Sequence, residues 1–330
     1  MVKSCFLNCK VITPLFMGGA LQQAELRTQS IKAELRTQSI NGVLRWWFRI
    51  AGGSIEDEKR IFGWAGETSN QGLVRIFIKE PFFKPQKFSP GQPGYNYLGF
   101  SLRLTNRESV PENKTFGLKI SFHPKATDDD IKKFFCALWL AFNLGNFGSR
   151  ARRGFGSIKI EKIQKGEQDI TNNCFELNFV PSEDLGNWIR QNLEKIKGFI
   201  THNHKPRENI PHLFSNFEIY IFKSDNNWKD LLNEVGQKYQ SFRRQQRPID
   251  KRIVFGLPII TVREYKGLRR ASPLIFKILE TGRNNYTLLI IIIKPDTHKF
   301  IFHPDIKNVE WDLLTNFVES FRNNLTRIYP

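Results

Sequence analysis

A chain of 330 residues with 50 lysines and arginines against 32 acidic side chains, a formal net charge of +18, is long enough for two domains of ordinary size and basic enough to attract polyanions at long range. Its cysteines, Cys5, Cys9, Cys136 and Cys174, have no CxxC pairing and no disulfide rhythm, which excludes a disulfide scaffold and fits the reduced, mostly buried thiols of a cytoplasmic protein. The longest apolar run, Leu288 to Ile293, is far too short for a bilayer span, and no lipidation motif or single basic amphipathic helix ties the charge to a membrane, so nucleic acid is the expected partner.

Lys3 to Ile12 alternates polar and apolar residues and reads as a strand, closed by Pro14 and Gly18-Gly19. Ala24 to Ile31 then recurs residue for residue as Ala33 to Ile40, a local duplication that lengthens a loop and matches no solenoid period. Ile40 to Ile50 reads as a helix with Ser39 as N-cap and Gly52-Gly53 as its stop. Val43, Trp47 and Ile50 share one face, and Arg45 and Arg49, four apart, flank Trp46 on another. Two readings stand: a core helix with snorkelling arginines, or Arg45 and Arg49 beside a phosphate path with Trp46 as a stacking surface.

Glu56 to Phe62 continues as a short helix, and Leu73 to Lys79 is a strand. Pro81 to Lys114 is rich in proline and glycine yet dotted with Phe82, Phe83, Phe88, Tyr95, Tyr97 and Phe100, a long insertion whose aromatics argue against pure disorder. Phe116 to Phe122 is a strand. Thr127 and Asp130 then form a capping box for a helix whose buried face is Ile131, Phe134, Phe135, Leu138, Trp139 and Phe142.

After that helix comes the most distinctive stretch, Gly145 to Ser157. It interleaves Gly145, Gly148, Gly154 and Gly156 with Arg150, Arg152 and Arg153 before an extended segment holding Ile158, Ile160 and Ile163. Glycines admit turns and close approach, and guanidinium forks suit phosphate oxygens, so the loop reads as an anion cradle. A nucleotide phosphate loop would follow a strand, open a helix and carry a lysine; here the order is reversed and the lysine is missing. A solvated basic loop with turn glycines is the plain alternative.

The first half therefore runs βαββαβ, the order of a ferredoxin-like or RNA-recognition domain, although no strand bears the aromatic signature of RNA-recognition modules, so loops and helix ends are the expected binding elements. A charged linker is expected near Ile163 to Ile170, with Cys174 to Val180 opening a second domain. Helices are expected at about 184–197, 228–244 and 309–323, and strands near 217–222, 274–280, 286–294 and 299–303. The fold expected is α+β, two ferredoxin-like (RRM-like, βαββαβ) domains in tandem over 1–165 and 166–330, the second more decorated. Arg243, Arg244, Arg247, Lys251 and Arg252, then Arg263, Lys266, Arg269 and Arg270, extend the loop into a basic track.

Ser39 to Arg49, Ile61-Phe62-Gly63, Tyr97-Leu98-Gly99-Phe100 and the 145–157 loop together resemble the RAMP superfamily of CRISPR proteins. Phe255-Gly256-Leu257-Pro258 and Arg269-Arg270-Ala271-Ser272-Pro273-Leu274 narrow the likeness to the first-subunit family of the Cmr (type III-B) effector complex. The resemblance implies a cytoplasmic, multi-subunit antiviral ribonucleoprotein in which this subunit engages the 3′ part of the guide (CRISPR) RNA and the paired single-stranded target RNA, alongside other Cmr subunits. It carries RNA binding onto Ser39, Asn41, Arg45, Trp46 and Arg49 of the helix and onto Gly148, Ser149, Arg150, Arg152, Arg153 and Gly154 of the loop. Arg269 and Arg270, and Lys32 and Arg36 of the repeat, complete the candidate set. Asn41 stands where the family tends to have a lysine or arginine; Lys32 occupies the equivalent spot in the first copy, which leaves open which copy meets RNA.

Some RAMP proteins are metal-independent ribonucleases that use a histidine to move the proton of a 2′-hydroxyl. The helix and the loop carry no histidine, so no general base lies beside the expected RNA path. His202 and His204, in Thr201 to Arg207 with His212 beyond, are the catalytic alternative. Neither a cofactor nor a metal is expected, and the chain reads as a non-catalytic RNA-binding subunit.

Overall fold

The computed structural model describes residues 4–18, 35–66, 69, 71–79, 83–104, 107–200, 210–215, 217–257, 270–293, 309–321 and 324–329. The first half contributes β1 (Ser4–Val11), α1 (Thr37–Ile50), α2 (Ile55–Phe62), β2 (Val74–Lys79), the short strands β3 (Gln86–Lys87) and β4 (Glu108–Ser109), α3 (Pro93–Leu98) and α4 (Phe100–Leu104). It continues with β5 (Thr115–Phe122), α5 (Asp128–Asn143), β6 (Ile158–Lys165) and β7 (Gln168–Asp169). The second half adds α6 (Leu185–Ile200), β8 (Phe217–Asp225), α7 (Trp228–Gln245), β9 (Leu274–Gly282), β10 (Asn285–Ile293), α8 (Asp312–Glu319) and β11 (Thr326–Tyr329).

The fold is mixed α+β with antiparallel sheets. The first sheet has the order β2-β5-β1-β6-β7 and the second β11-β8-β10-β9. In each, the two strands that flank the first helix are separated in the sheet by a third, antiparallel strand. The molecule is layered: first sheet, then α1, α5 and α6, then second sheet, then α7 and α8.

Strand periodicity explains the layering. On β1, Cys5, Leu7, Cys9 and Val11 point to the helices and are buried, while Ser4, Phe6, Asn8 and Lys10 alternate to the other side. On β10 both faces are apolar: Leu289, Ile291 and Ile293 join the core beneath α5 and α6, and Leu288, Ile290 and Ile292 join the core beneath α7 and α8. A strand covered on both sides reads as a continuous apolar run, which is why this one is unbroken in the sequence.

Several local expectations are refined by what the backbone and side chains do. Thr127 and Asp130 form both bonds of the capping box on α5. Ser39 does not cap α1. The helix begins three residues earlier than expected, at Thr37, with Arg36 as the extended N-cap residue and no side-chain cap, and Ser39 lies inside the first turn. The segment 163–170 is no linker but the β6–β7 hairpin on the first sheet. The 81–114 insertion contains β3, α3, α4 and β4, and α3 lies against α7 where Gly94 and Gly236 allow the backbones to meet: a Cβ on Gly94 would stand 2.0 Å from the Asn233 carbonyl oxygen. The last helix is shorter than expected, ending at Glu319, and β11 follows it. The strand expected near 299–303 lies outside the described residues.

Candidate nucleic-acid interface

The loop 145–157 runs along β9, the edge strand of the second sheet. Arg153 forms a parallel bridge with Phe276. The Asn146 amide donates to the Phe276 carbonyl at 2.8 Å, and the Ile278 N–H donates to Ser157 Oγ at 3.4 Å. From the other side Thr13 Oγ1 donates to the Gly154 carbonyl at 2.8 Å. An open edge is a hazard for aggregation, and here the loop covers it. Gly156 sits at φ +75° with a would-be Cβ 1.9 Å from the Phe147 carbonyl oxygen, so no other residue fits there. Gly148, at φ +78°, is exposed at the rim, while Gly154 is buried against Leu232.

The three loop arginines diverge. Arg153 turns inward, over the Tyr239 ring at 4.7 Å, and donates to the Tyr239 hydroxyl at 2.9 Å and to the Phe255 carbonyl at 3.3 Å. Arg152 donates to the Ser272 carbonyl and lies 4.8 Å from the centre of the Trp46 ring. Arg150 stays towards the rim, half-buried, at φ +60°, its Nε donating to Ser101 Oγ at 2.9 Å. Beside it Arg107 donates to Ser149 Oγ, while its Nε and Nη2 are buried with no hydrogen-bond partner among the described residues. Arg243 of α7 donates to the Tyr97 hydroxyl at 2.8 Å.

None of Arg107, Arg150, Arg152, Arg153 and Arg243 has a carboxylate within salt-bridge distance among the described residues; their partners are hydroxyls, carbonyls and rings. Burial, then repulsion from Arg153, pulls Arg150 down to about 10, and burial pulls Arg152 to about 10. Both still carry charge at neutral pH. Buried cations without counter-ions are unfavourable, and a phosphate is the kind of anion that would supply the missing charge.

The α1 residues are placed differently. Arg45 and Arg49 converge on Glu58 of α2, with Nη2 to Oε1 distances of 2.8 and 2.5 Å. Trp46 meets Trp47 edge-on and receives Arg152 on its ring. Arg36, Ser39 and Asn41 are half-exposed on the first turns. Arg270 is fastened within the second half, donating to the Ile253 and Val254 carbonyls at 2.9 and 2.8 Å, 5.0 Å from the Trp311 ring. Lys32 and Arg269 lie outside the described residues, as do His202 and His204.

The structure therefore gathers Ser149, Arg150, Arg152, Arg153 and Trp46 from the expected set. It adds Arg107, Tyr97, Ser101, Arg243 and the 57% exposed Phe100. Arg243 stood in a basic run and Tyr97 and Phe100 in a motif, but nothing in the sequence marked Arg107, one of two arginines in a long insertion.

Residues 8–159 match the family profile of the RAMP superfamily, and the chain belongs to that superfamily. Residues 214–329 match the profile described as Cmr1-like, C-terminal, which makes it a Cmr1-like member. It is 27% identical over 320 residues, 89% of this chain and 87% of the relative, to the CRISPR system Cmr subunit Cmr1-1 of Pyrococcus furiosus. It is 29% identical over 192 residues, 48% of this chain and 95% of the relative, to Cmr1-2 of the same organism. The fold is similar to that of apo Cmr1 from Pyrococcus furiosus, with TM-score 0.69 at 24% identity over 99% of this chain and 98% of that one. It is also similar to a chain in the type III-B Cmr-beta complex bound to cognate target RNA, with TM-score 0.61 at 14% identity over 97% and 99%.

Proposed function

We propose that this chain is a non-catalytic RNA-binding subunit of a type III-B Cmr ribonucleoprotein, engaging the 3′ part of the guide RNA or the target paired with it, or both. The observation that carries the reading is the group of five arginines with hydroxyl, carbonyl and ring partners but no carboxylate partner among the described residues. Phosphates along an RNA strand are the ligand that such a group accepts repeatedly, and exposed Phe100 beside it offers a base a ring to stack on. The family membership and the Cmr1 relatives support the assembly part of the reading. Each half, with its strands in the order fourth, first, third, second, is proposed as a ferredoxin-like domain, 1–165 and 166–330.

The geometry divides the expected site by role. Arg153, Arg152 and Gly154 hold the loop to the second half, and Arg150, Arg107, Ser149 and Gly148 face the ligand. Arg45 and Arg49, which share the carboxylate of Glu58, act by orienting α1 and Trp46 beneath Arg152.

The test is a salt series of binding to a labelled single-stranded RNA in chelator, read on a gel that also reports cleavage. With about six phosphate contacts, log affinity falls against log salt with a slope of roughly −4. Replacing Arg107 and Arg150 by alanine together should weaken binding to all sequences and flatten the slope by about 1.4, at about 0.7 per contact. An unchanged slope removes the arginine group from the interface; cut RNA overturns the non-catalytic reading.

A further inference from the structure

The layering leaves one sheet face uncovered. The second sheet has helices on both sides, whereas the first has α1 and α5 on one side only; on the other, no helix packs among the described residues. That open face is built in register. Phe6 of β1, Lys119 of β5 and Phe77 of β2 stand in one row across three strands. The next row is Asn8, Gly117 and Lys79, and the row on the other side ends in Arg75.

Two features make the face more than a solvated surface. Phe6 lies flat across Gly117: a Cβ there would stand 2.5 Å from its Cζ, and Lys79 Nζ is 5.3 Å from its ring centre. Phe77 is 48% exposed, two strands away and therefore roughly 10 Å from Phe6. Between and around the rings, Arg75, Lys79 and Lys119 are exposed and have no carboxylate partner among the described residues.

We infer that the open face of the first sheet is a second binding surface for single-stranded RNA, on which Phe6 and Phe77 stack two unpaired bases and Arg75, Lys79 and Lys119 meet the phosphates. The inference rests on the reading of the chain as an RNA binder and assigns it a surface separate from the arginine group. A protein neighbour fits less well, because interface centres are depleted of lysine and here a lysine stands between the two rings. Duplex RNA fits less well too, since its bases offer no free faces to the rings.

The full-length chain is irradiated with a 12-nucleotide single-stranded RNA carrying 5-iodouridine, and the crosslinked peptides are mapped. In parallel, affinities are measured for Phe77→Ala and Lys119→Gln, both exposed so that the fold is spared, and for the Arg107/Arg150 double variant. The expected result is crosslinks at Phe6 or Phe77 and about tenfold weaker binding for Phe77→Ala, with duplex RNA indifferent to that change. Wild-type affinity in both face variants, with no crosslink on β1 or β2, overturns this inference and leaves the arginine group standing as the interface. Loss of binding in the face variants with an unaffected double variant keeps this surface and removes the other. No binding by the unaltered chain overturns both.

Discussion

Lys277 lies in the middle of β9 with no accessible surface, its Nζ donating to the Gly145 carbonyl at 2.8 Å. Burial pulls its ammonium down to about 7, against about 10.4 for a free lysine. Between these values the unfolded chain holds a proton that the native chain does not, so this residue's contribution to stability falls as pH drops from about 10 to about 7 and is level below. Lys277→Met removes the titration and the hydrogen bond. Urea unfolding of both proteins should show the variant slightly less stable at pH 10, by about 1 kcal/mol, and gaining on the parent steadily down to pH 7. A constant difference across that range would mean that Lys277 stays charged in the fold. Lys277 is also where the loop is tied from beneath, so the same residue that limits stability fixes the start of the arginine stretch.

Among the elements, α1 and the α3–α7 pair are the most open to test. Gly42 is exposed within α1, and nothing lies within 4 Å of where its Cβ would go. Gly42→Ala should therefore raise stability by about 0.5–1 kcal/mol. If RNA passes over this turn, as the resemblance implies, the same change weakens binding. Stability gained with affinity unchanged would take the first turns of α1 out of the interface. Gly94→Ala does the opposite, because its Cβ meets backbone across the crossing with α7. It should lose about 1–3 kcal/mol in urea unfolding. It should also weaken RNA binding, since the crossing sets Tyr97 against Arg243.

At the scale of the molecule, the two halves share one core. Trp139 of α5 and Trp188 of α6 are 5.1 Å apart, and both indole N–H groups donate to the Asn178 carbonyl, at 2.8 and 3.1 Å. Trp47 of α1 meets Phe217 of β8 edge-on at 6.2 Å. Residues 1–165 alone would expose the face of α5 that α6 covers, so that fragment should aggregate or bind a hydrophobic dye and lack a cooperative unfolding transition. The full chain should unfold in one step, by circular dichroism and by tryptophan fluorescence alike. A fragment that melts sharply on its own would show the shared core to be dispensable.

The sequence by itself determined the strongest elements: the alternation of β1, the apolar run of β10, the capping box of α5 and the strand–helix order of the first half follow from periodicity and caps that act within a few residues, whereas β11 and the β6–β7 hairpin did not show in it. It also determined the family likeness, through ordered motifs, and the attraction to polyanions, through net charge. What only the tertiary structure decided was which way the charged side chains turn. In the sequence Arg45 and Arg49 read equally as snorkelling arginines or as phosphate ligands, and only the fold sets Glu58 between them. Arg153, one residue from Arg152 in the densest basic stretch, faces Tyr239 across 86 positions of chain. Lys119 and the rings of Phe6 and Phe77 became a row only through pairing between strands far apart in sequence. Burial and pairing are properties of what packs against a residue. For these side chains the neighbours come from the other strands or the other half, and no local pattern encodes them.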